Sequence, residues 1–366
     1  MPIFNQVVQG GGGSGPAHYI EKTVDANGKL VNGNTIIDLT GIDDIGEYVL
    51  QYAYQNNTNL VNPNITIPIQ NLSGSYALYN CFMGGNIQKA LFPNLVSVTG
   101  SGALQACLSN CQQLNEIAFP NLETIYTQYG SSLRSFCGRS NQYGTFYLTS
   151  VSFPKLKTIK VQSGGSSECY QAFFYQCALA SAEMPLLEEV NGSSMCNQMF
   201  YNTALVTMRF PSLKVLQGSG VFQSMFGACT SLESIWFYAL DTDSFGTATT
   251  QFNKMVSGVT GCTVHFPIRI QSVIGSWSDV TNGFNGTNTT VLFDIVTSLT
   301  GADGNTYTRS EKDSTSTATA WTYNDTLYYT SGVSNNTAGV NEPSVSDAIY
   351  SDDACTTSVT TITAIA

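Results

Sequence analysis

An apolar-Pro-x-Leu-x-x-apolar segment returns five times along the middle of this chain, and that recurrence constrains the fold more than any other feature. It reads Phe92-Pro93-Asn94-Leu95-Val96-Ser97-Val98, then Phe119 to Ile125, Phe153 to Ile159, Met184 to Val190 and Phe210 to Leu216. The prolines stand 27, 34, 31 and 26 residues apart. Ile67-Pro68 is an earlier, degenerate copy and Phe266-Pro267 a later one, while a copy at Ile235 to Leu240 has lost its proline. A second feature keeps the same phase: Leu78-x-x-Cys81, Leu108-x-x-Cys111, Phe174-x-x-Cys177, Phe200-x-x-Thr203 and Phe226-x-x-Cys229. Two features in one phase mark a true repeat.

One unit of this length, two short strands and a turn, cannot bury its own apolar face. Stacking the units closes a continuous core, with Leu, Phe and Cys forming ladders along it. Proline lacks an N–H donor, so it ends each strand and turns the chain. The expected fold is mostly β with short helices: a right-handed leucine-rich-type solenoid over 61–287 between two flanking units. Leu95, Leu122, Leu156, Leu187 and Leu213 are expected at equivalent stacked positions. Cys111, Cys177 and Cys229 are expected as buried free thiols.

The flanks read differently. Residues 1–18 hold the tract Gly10–Gly13, Ser14, Gly15 and are expected to be a flexible anchoring arm. Residues 19–60 are expected to form a hairpin-plus-helix cap. Asn27-Gly28 sits between the alternating stretches Tyr19–Val24 and Lys29–Val31, as a type I′ turn requires. A strand is expected over Thr35–Leu39. Thr40-x-x-Asp43 then resembles a capping box, and Ile42, Ile45, Val49, Leu50 and Ala53 recur at helical spacing, predicting a helix from about 42 to 54. Residues 288–366 read as a β-rich module, with strands near Val291–Val296, Tyr307–Arg309, Ala318–Tyr323, Leu327–Tyr329 and Val359–Ile362. Its short strands leave edges open to a second chain, so a homo-oligomer is expected, the alternative being a monomer in which the module caps the last repeat over Trp277 and Phe284.

The pattern Phe226…Cys229…Leu232…Ile235 resembles the BspA-like leucine-rich repeats, over roughly residues 65–270. Cys262 through Trp277 looks like the closing repeat of such an array. Gly33-Asn-Thr-Ile-Ile-Asp-Leu-Thr40 and Gly286 to Asp294, with Asp347 to Cys355, resemble short modules of bacteriophage and prophage proteins. The resemblance implies a virion-surface fibre, spike or decoration protein, and for a fibre a trimer. Its partners would be other virion proteins, through the arm, and a host surface glycan or protein. A bacterial adhesin on the extracellular cell surface is the alternative, and a polysaccharide-depolymerising spike enzyme a third reading.

Charge narrows the function classes. With 14 Lys and Arg against 25 Asp and Glu, the chain has little to neutralise phosphates, which disfavours nucleic acid and anionic membranes. No run of residues is apolar enough to span a bilayer. The opening MPIFNQVVQGGGGSG has neither a basic nor an apolar signal region, so assembly in a host cytoplasm and reduced cysteines are expected. His18 and His265 lie far apart in sequence, Cys107 and Cys111 fit the repeat phase, and no nucleophile elbow or zinc spacing occurs. Asp43-Asp44, Asp241-x-Asp243 and Asp352-Asp353 suit a helix start and turns. The chain is therefore expected to be non-enzymatic, with no catalytic, cofactor or metal residues. Tyr126, Tyr129, Arg134, Arg139, Tyr143 and Tyr147 fall in the longest repeat and are the candidate binding surface, since Tyr and Arg dominate binding hot spots.

Overall fold

The computed structural model describes residues 3–8, 18–23, 39, 43–60, 62–127, 133–138, 147–161, 172–315, 318–331 and 342–366. The repeat is a solenoid of stacked coils, each with three faces. One face is a six-stranded parallel sheet built from Asn71–Leu72, Ser97–Val98, Thr124–Thr127, Thr158–Val161, Glu189–Asn191 and Val215–Gln217. Its register places Leu72, Val98, Ile125, Ile159, Val190 and Leu216 in one inward row. The second face carries the strands before each proline, from Asn64–Thr66 through Thr207–Phe210, Ser234–Phe237 and Thr263–Pro267.

Between these sheets the repeat residues meet as expected. Leu95, Leu122, Leu156, Leu187 and Leu213 are all buried in the same core. The residue before each proline makes a ring ladder: Phe92 to Phe119 at 4.8 Å, Phe119 to Phe153 at 5.3 Å, and Phe210 to Phe237 to Phe266 at 5.0 Å each. Ile67 takes this place in the first coil, its N–H reaching Leu91 O as that of Phe92 reaches Ala118 O.

The third face differs from the sequence reading. Residues 48–56 are not a helix. Tyr48, Leu50, Tyr52, Tyr54 and Asn56 donate to carbonyls of the next coil, while the intervening Val49, Gln51, Ala53 and Gln55 donate back three residues. Tyr48, Tyr52 and Asn56 have φ of 58°, 57° and 57°. The chain is thus a ribbon of turns with a left-handed residue every fourth position, and later coils repeat it. A four-residue period imitates helical spacing, which is why Ile45, Val49, Leu50 and Ala53 suggested a helix. The difference lies in the hydrogen bonds: a helix keeps its own, whereas this ribbon gives every second one to its neighbour. Where the chain turns into the ribbon, a Cβ on Gly100 would lie 2.3 Å from Gly74 O and one on Gly74 2.4 Å from Gly46 C, so only glycine fits that corner. Of the capping box, Thr40 lies outside the described residues. Asp44 instead accepts from Ser73 in the next coil.

The ribbon makes a prediction of sign. Its last left-handed position, where described, holds Asn56, Gly84, Asn110, Gln176, Asn202, Ala228 and Gly258. Asn and Gly tolerate that conformation, but the Cβ of alanine does not sit well there. Ala228→Gly is therefore expected to leave stability unchanged or raise it by up to about 1 kcal/mol, whereas in a helix it would cost about that much. Urea denaturation of the pair decides between them.

The cysteine position also has a chemical reason. Cys111 Sγ donates to Phe82 O at 3.1 Å and Cys229 Sγ to Phe200 O at 2.9 Å, each into the preceding coil. Thr203, in the same phase, directs Oγ1 to Phe200 O at 3.0 Å. The site takes a small side chain with a donor, so Thr replaces Cys there. Nine cysteines are free thiols, eight of them buried; Cys169 lies outside the described residues. Burial pushes Cys111 and Cys262 up to about 12 and raises Cys107, Cys137 and Cys229. The unfolded chain loses these protons near pH 9, the folded chain only far higher, so unfolding is favoured increasingly as pH rises above about 9. Native protein at pH 8 should resist iodoacetamide at these thiols, and denaturant should expose them without reductant.

At the N-terminus, Ile3–Val8, in the stretch read as an arm, forms a strand antiparallel to His18–Thr23, in the stretch read as one strand of a hairpin with Lys29–Val31. The Asn27-Gly28 turn and the strand at Thr35 to Asp38 lie outside the described residues. At the other end, the module begins later than residue 288. Thr290–Ile295 pairs in parallel with Thr263–Pro267 and adds a last rung to the solenoid, so the closing coil is one turn beyond Trp277. That coil carries the two short α-helices, Gln271–Ile274 and Ser278–Thr281. Beyond the last rung the chain forms a closed antiparallel barrel: Ser298–Gly301, Thr306–Arg309, Ala318–Tyr323, Thr326–Ser331, Ala348–Tyr350 and Ser358–Ile365, the last pairing with the first. Closure satisfies the strand edges that were expected to recruit a second chain. Trp321, Tyr307, Leu299, Ile349 and Ile362 fill its interior. No helix among the described residues is long and apolar enough to cross a membrane.

Candidate functional site

The residues singled out in the longest coil do not converge. Tyr126 lies on the six-stranded sheet with Lys160 Nζ 5.7 Å from its ring centre. Arg134 lies on the ribbon face, where its carbonyl accepts from Ala106 N–H. Tyr147, 64% exposed, precedes a strand of the second sheet. Tyr129, Arg139 and Tyr143 lie outside the described residues. The three that are placed occupy three different faces.

The structure gathers another set of tyrosines instead. Tyr48 and Tyr52 of the first coil are 46% and 41% exposed on the ribbon face. Tyr48 stacks on Tyr76 of the second coil at 5.5 Å and 7°, Tyr52 meets Tyr79 edge-on at 5.3 Å, and Tyr76 meets Tyr79 at 5.6 Å. The Tyr76 ring lies across Gly102, where a Cβ would come within 2.5 Å of it. Further along the same face Tyr175 stacks on Tyr201 at 5.0 Å. Tyr48, Tyr52 and Tyr76 all hold positive φ, at 58°, 57° and 53°. A bulky residue there is a genuine outlier costing of order 1–2 kcal/mol, and exposed rings gain little from burial in return. The sequence did contain a signal: tyrosine at 48 and 52, four apart, then at 76 and 79 one coil later. It becomes legible only once the four-residue ribbon is known.

A second concavity opens where the barrel meets the last coils. Its volume is about 730 Å³. Beneath it the Arg309 side chain is 3% exposed, donating to Glu342 at 2.6 Å, to Glu311 at 3.2 Å and to Val296 O at 3.0 Å. Its guanidinium lies 5.1 Å from the Tyr238 ring and 5.7 Å from the Trp321 ring. Burial opposes the arginine charge, but the two carboxylates outweigh it and hold the guanidinium protonated. Burial also pushes Glu342 up, against the pull of Arg309. Tyr238 is raised above the usual phenol range, by burial first and then by Glu311. The Tyr238 hydroxyl is buried and has no hydrogen-bond partner among the described residues.

The other ionisable groups have structural surroundings. His265 directs Nδ1 to Asp294 at 2.9 Å and lies flat on Trp236 at 3.5 Å. Asp352 accepts from Thr356 and Thr357 in a turn. Asp43 is exposed, and Asp241, paired with Arg269 at 3.2 Å, lines the junction cleft with Asp243. Among the described residues no group of three or more His, Cys, Asp or Glu is placed to hold a metal ion.

No protein-family model matches this chain, and no curated protein matches it. Among solved structures, a leucine-rich repeat protein from Bacteroides ovatus aligns at 13% identity, covering 79% of this chain and 98% of that one, with a TM-score of 0.21.

Proposed function

We propose that this chain is a binding and structural repeat protein whose solenoid presents the tyrosine tier of its first two coils to a cell surface. The tier carries the reading. Three aromatic residues occupy backbone conformations that disfavour them, and two of these, Tyr48 and Tyr52, stay 46% and 41% exposed, so neither local propensity nor burial in the core accounts for their presence. Rigid, amphipathic tyrosines on a fixed backbone lose little entropy on contact, which suits them to recognition. The finer reading, from the resemblance of the terminal segments, is a bacteriophage fibre, spike or decoration protein, with a bacterial adhesin as the runner-up. On that reading residues 1–18 bind the carrier particle and the solenoid faces a host glycan or protein. A trimer or other homo-oligomer would then use a surface other than the barrel edges.

The experiment is binding of the labelled full chain to a panel of bacterial cells and their purified surface polysaccharides. Tyr48→Asn with Tyr52→Asn removes both exposed rings and places a residue tolerant of positive φ at each site. Binding is expected to weaken by about thirtyfold or more, as for truncated hot spots, with the thermal midpoint unchanged or higher. Undiminished binding by the double variant would overturn the tier as the contact surface. Mass spectrometry of purified particles, finding the chain in stoichiometric amount or not at all, separates virion protein from adhesin.

A further inference from the structure

The junction cleft is a different surface from the tyrosine tier, and its chemistry points to a different contact. We propose that it binds a neutral oligosaccharide, with the buried Tyr238 hydroxyl as the anchor. The inference rests on the reading that the chain is a binding protein, but not on the tier.

The cleft is walled by both units, the last coils on one side and the start of the barrel on the other, and such junctions are favoured places for ligand sites. Its volume of about 730 Å³ lies within the usual range for small-ligand clefts and leaves room for several sugar rings. The wall carries both signs of charge. Glu188, Asp241, Asp243 and Asp313 supply carboxylates, with Lys214 and Lys312 among the cations. The lining has six carboxylates against four basic side chains, a net negative balance that disfavours phosphates, nucleotides and acidic sugars. A hydroxyl both donates and accepts, so a polyol can meet carboxylate and ammonium in turn without carrying charge itself. Leu327 and Pro211 add apolar wall for the C–H face of a ring.

Tyr238 distinguishes the cleft from an ordinary groove. Its ring is fixed against the Arg309 guanidinium at 5.1 Å and parallel to Trp236 at 6.0 Å, so the hydroxyl cannot turn away to find another partner. It lines the cleft, is buried, and meets no protein donor or acceptor among the described residues. Buried polar groups are nearly always satisfied, so this one calls for a partner from outside the chain. A sugar hydroxyl can take either role toward it.

The full chain should be screened against an array of neutral and acidic oligosaccharides, and the best neutral binder titrated calorimetrically. Tyr238→Phe is expected to weaken that binder about tenfold, the equivalent of one hydrogen bond, without lowering the thermal midpoint. A merely structural tyrosine would lose nothing, since the hydroxyl has no protein partner to lose. Leu327→Arg at the cleft wall is expected to abolish binding, and the Tyr48→Asn, Tyr52→Asn variant to retain it. Binding of acidic sugars alone, binding indifferent to both cleft variants, or no saccharide binding at all would each overturn the proposal. None of these bears on the tier, which stands or falls on the cell-binding experiment.

Discussion

Replacing Arg309 by alanine is expected to cost about 3–5 kcal/mol, because it takes the cation from buried Glu342 and leaves buried Glu311 only the longer pair with Arg209 at 3.9 Å. Glu311 and Glu342 converge on that one guanidinium from either side of the residues at 316 to 341, and Val296 O receives its remaining bond. The same arginine packs on Tyr238 of the solenoid and Trp321 of the barrel, so it fastens the two units together. The loss should appear as earlier unfolding in urea, read through the fluorescence of Trp321 and Trp236. A variant that removes the closest pair together, with Arg309 and Glu342 each replaced by an apolar residue of similar size and Glu311 left with Arg209, should recover much of that stability. Buried ion pairs cost nearly as much to desolvate as they return, so it is the broken network that is unfavourable. If Arg309→Ala melts with the parent protein, the network contributes nothing and the docking rests on apolar contact alone.

Phe119→Ala is expected to destabilise the solenoid by about 3–5 kcal/mol. The ring lies between Phe92 at 4.8 Å and Phe153 at 5.3 Å and touches Phe136 at 5.9 Å, so its removal opens a cavity shared by three coils. The coils on either side are joined by backbone hydrogen bonds on all three faces and cannot close independently into the gap. Because each coil contacts only its neighbours, the effect is local in origin but weakens the whole stack. Phe119→Leu, which keeps most of the volume, should cost much less. Equal losses for the two variants would mean that the ring ladder packs loosely. Met184 occupies the same phase in a later coil, and it shows that bulk and flexibility can stand in for an aromatic ring there.

Much of the solenoid was legible in the chain itself. The phase of apolar-Pro-x-Leu located the five stacked leucines, and Leu/Phe-x-x-Cys located four of the eight buried thiols described, because a short unit has one apolar face and one way to bury it. Four of the barrel strands, at residues 306–309, 318–323, 326–331 and 358–365, followed from alternation between turns. Alternation does not say how strands close. The barrel is sealed by Leu299 meeting Ile365 and Thr300 meeting Ala364, partners more than sixty residues apart that no local pattern specifies.

The ribbon shows the same division more sharply. Its apolar positions recur every three to four residues, and a single coil considered alone supports a helix as well as a ribbon. The neighbouring coil decides, since alternate N–H groups on this face find carbonyls 25 to 36 residues onward, for example Leu78 to Ala103 and Cys137 to Phe173. Tyr48, Tyr52, Tyr76 and Tyr79 form a surface only because those bonds stack the coils in register. Tyr238, Arg309 and Glu342 meet only because the barrel docks where the solenoid ends. The sequence by itself determined what is buried, because burial follows from periodicity and the cost of exposing apolar side chains. Tertiary structure alone decided what is presented, because hydrogen bonds and ion pairs between distant segments choose which polar and aromatic groups share a surface.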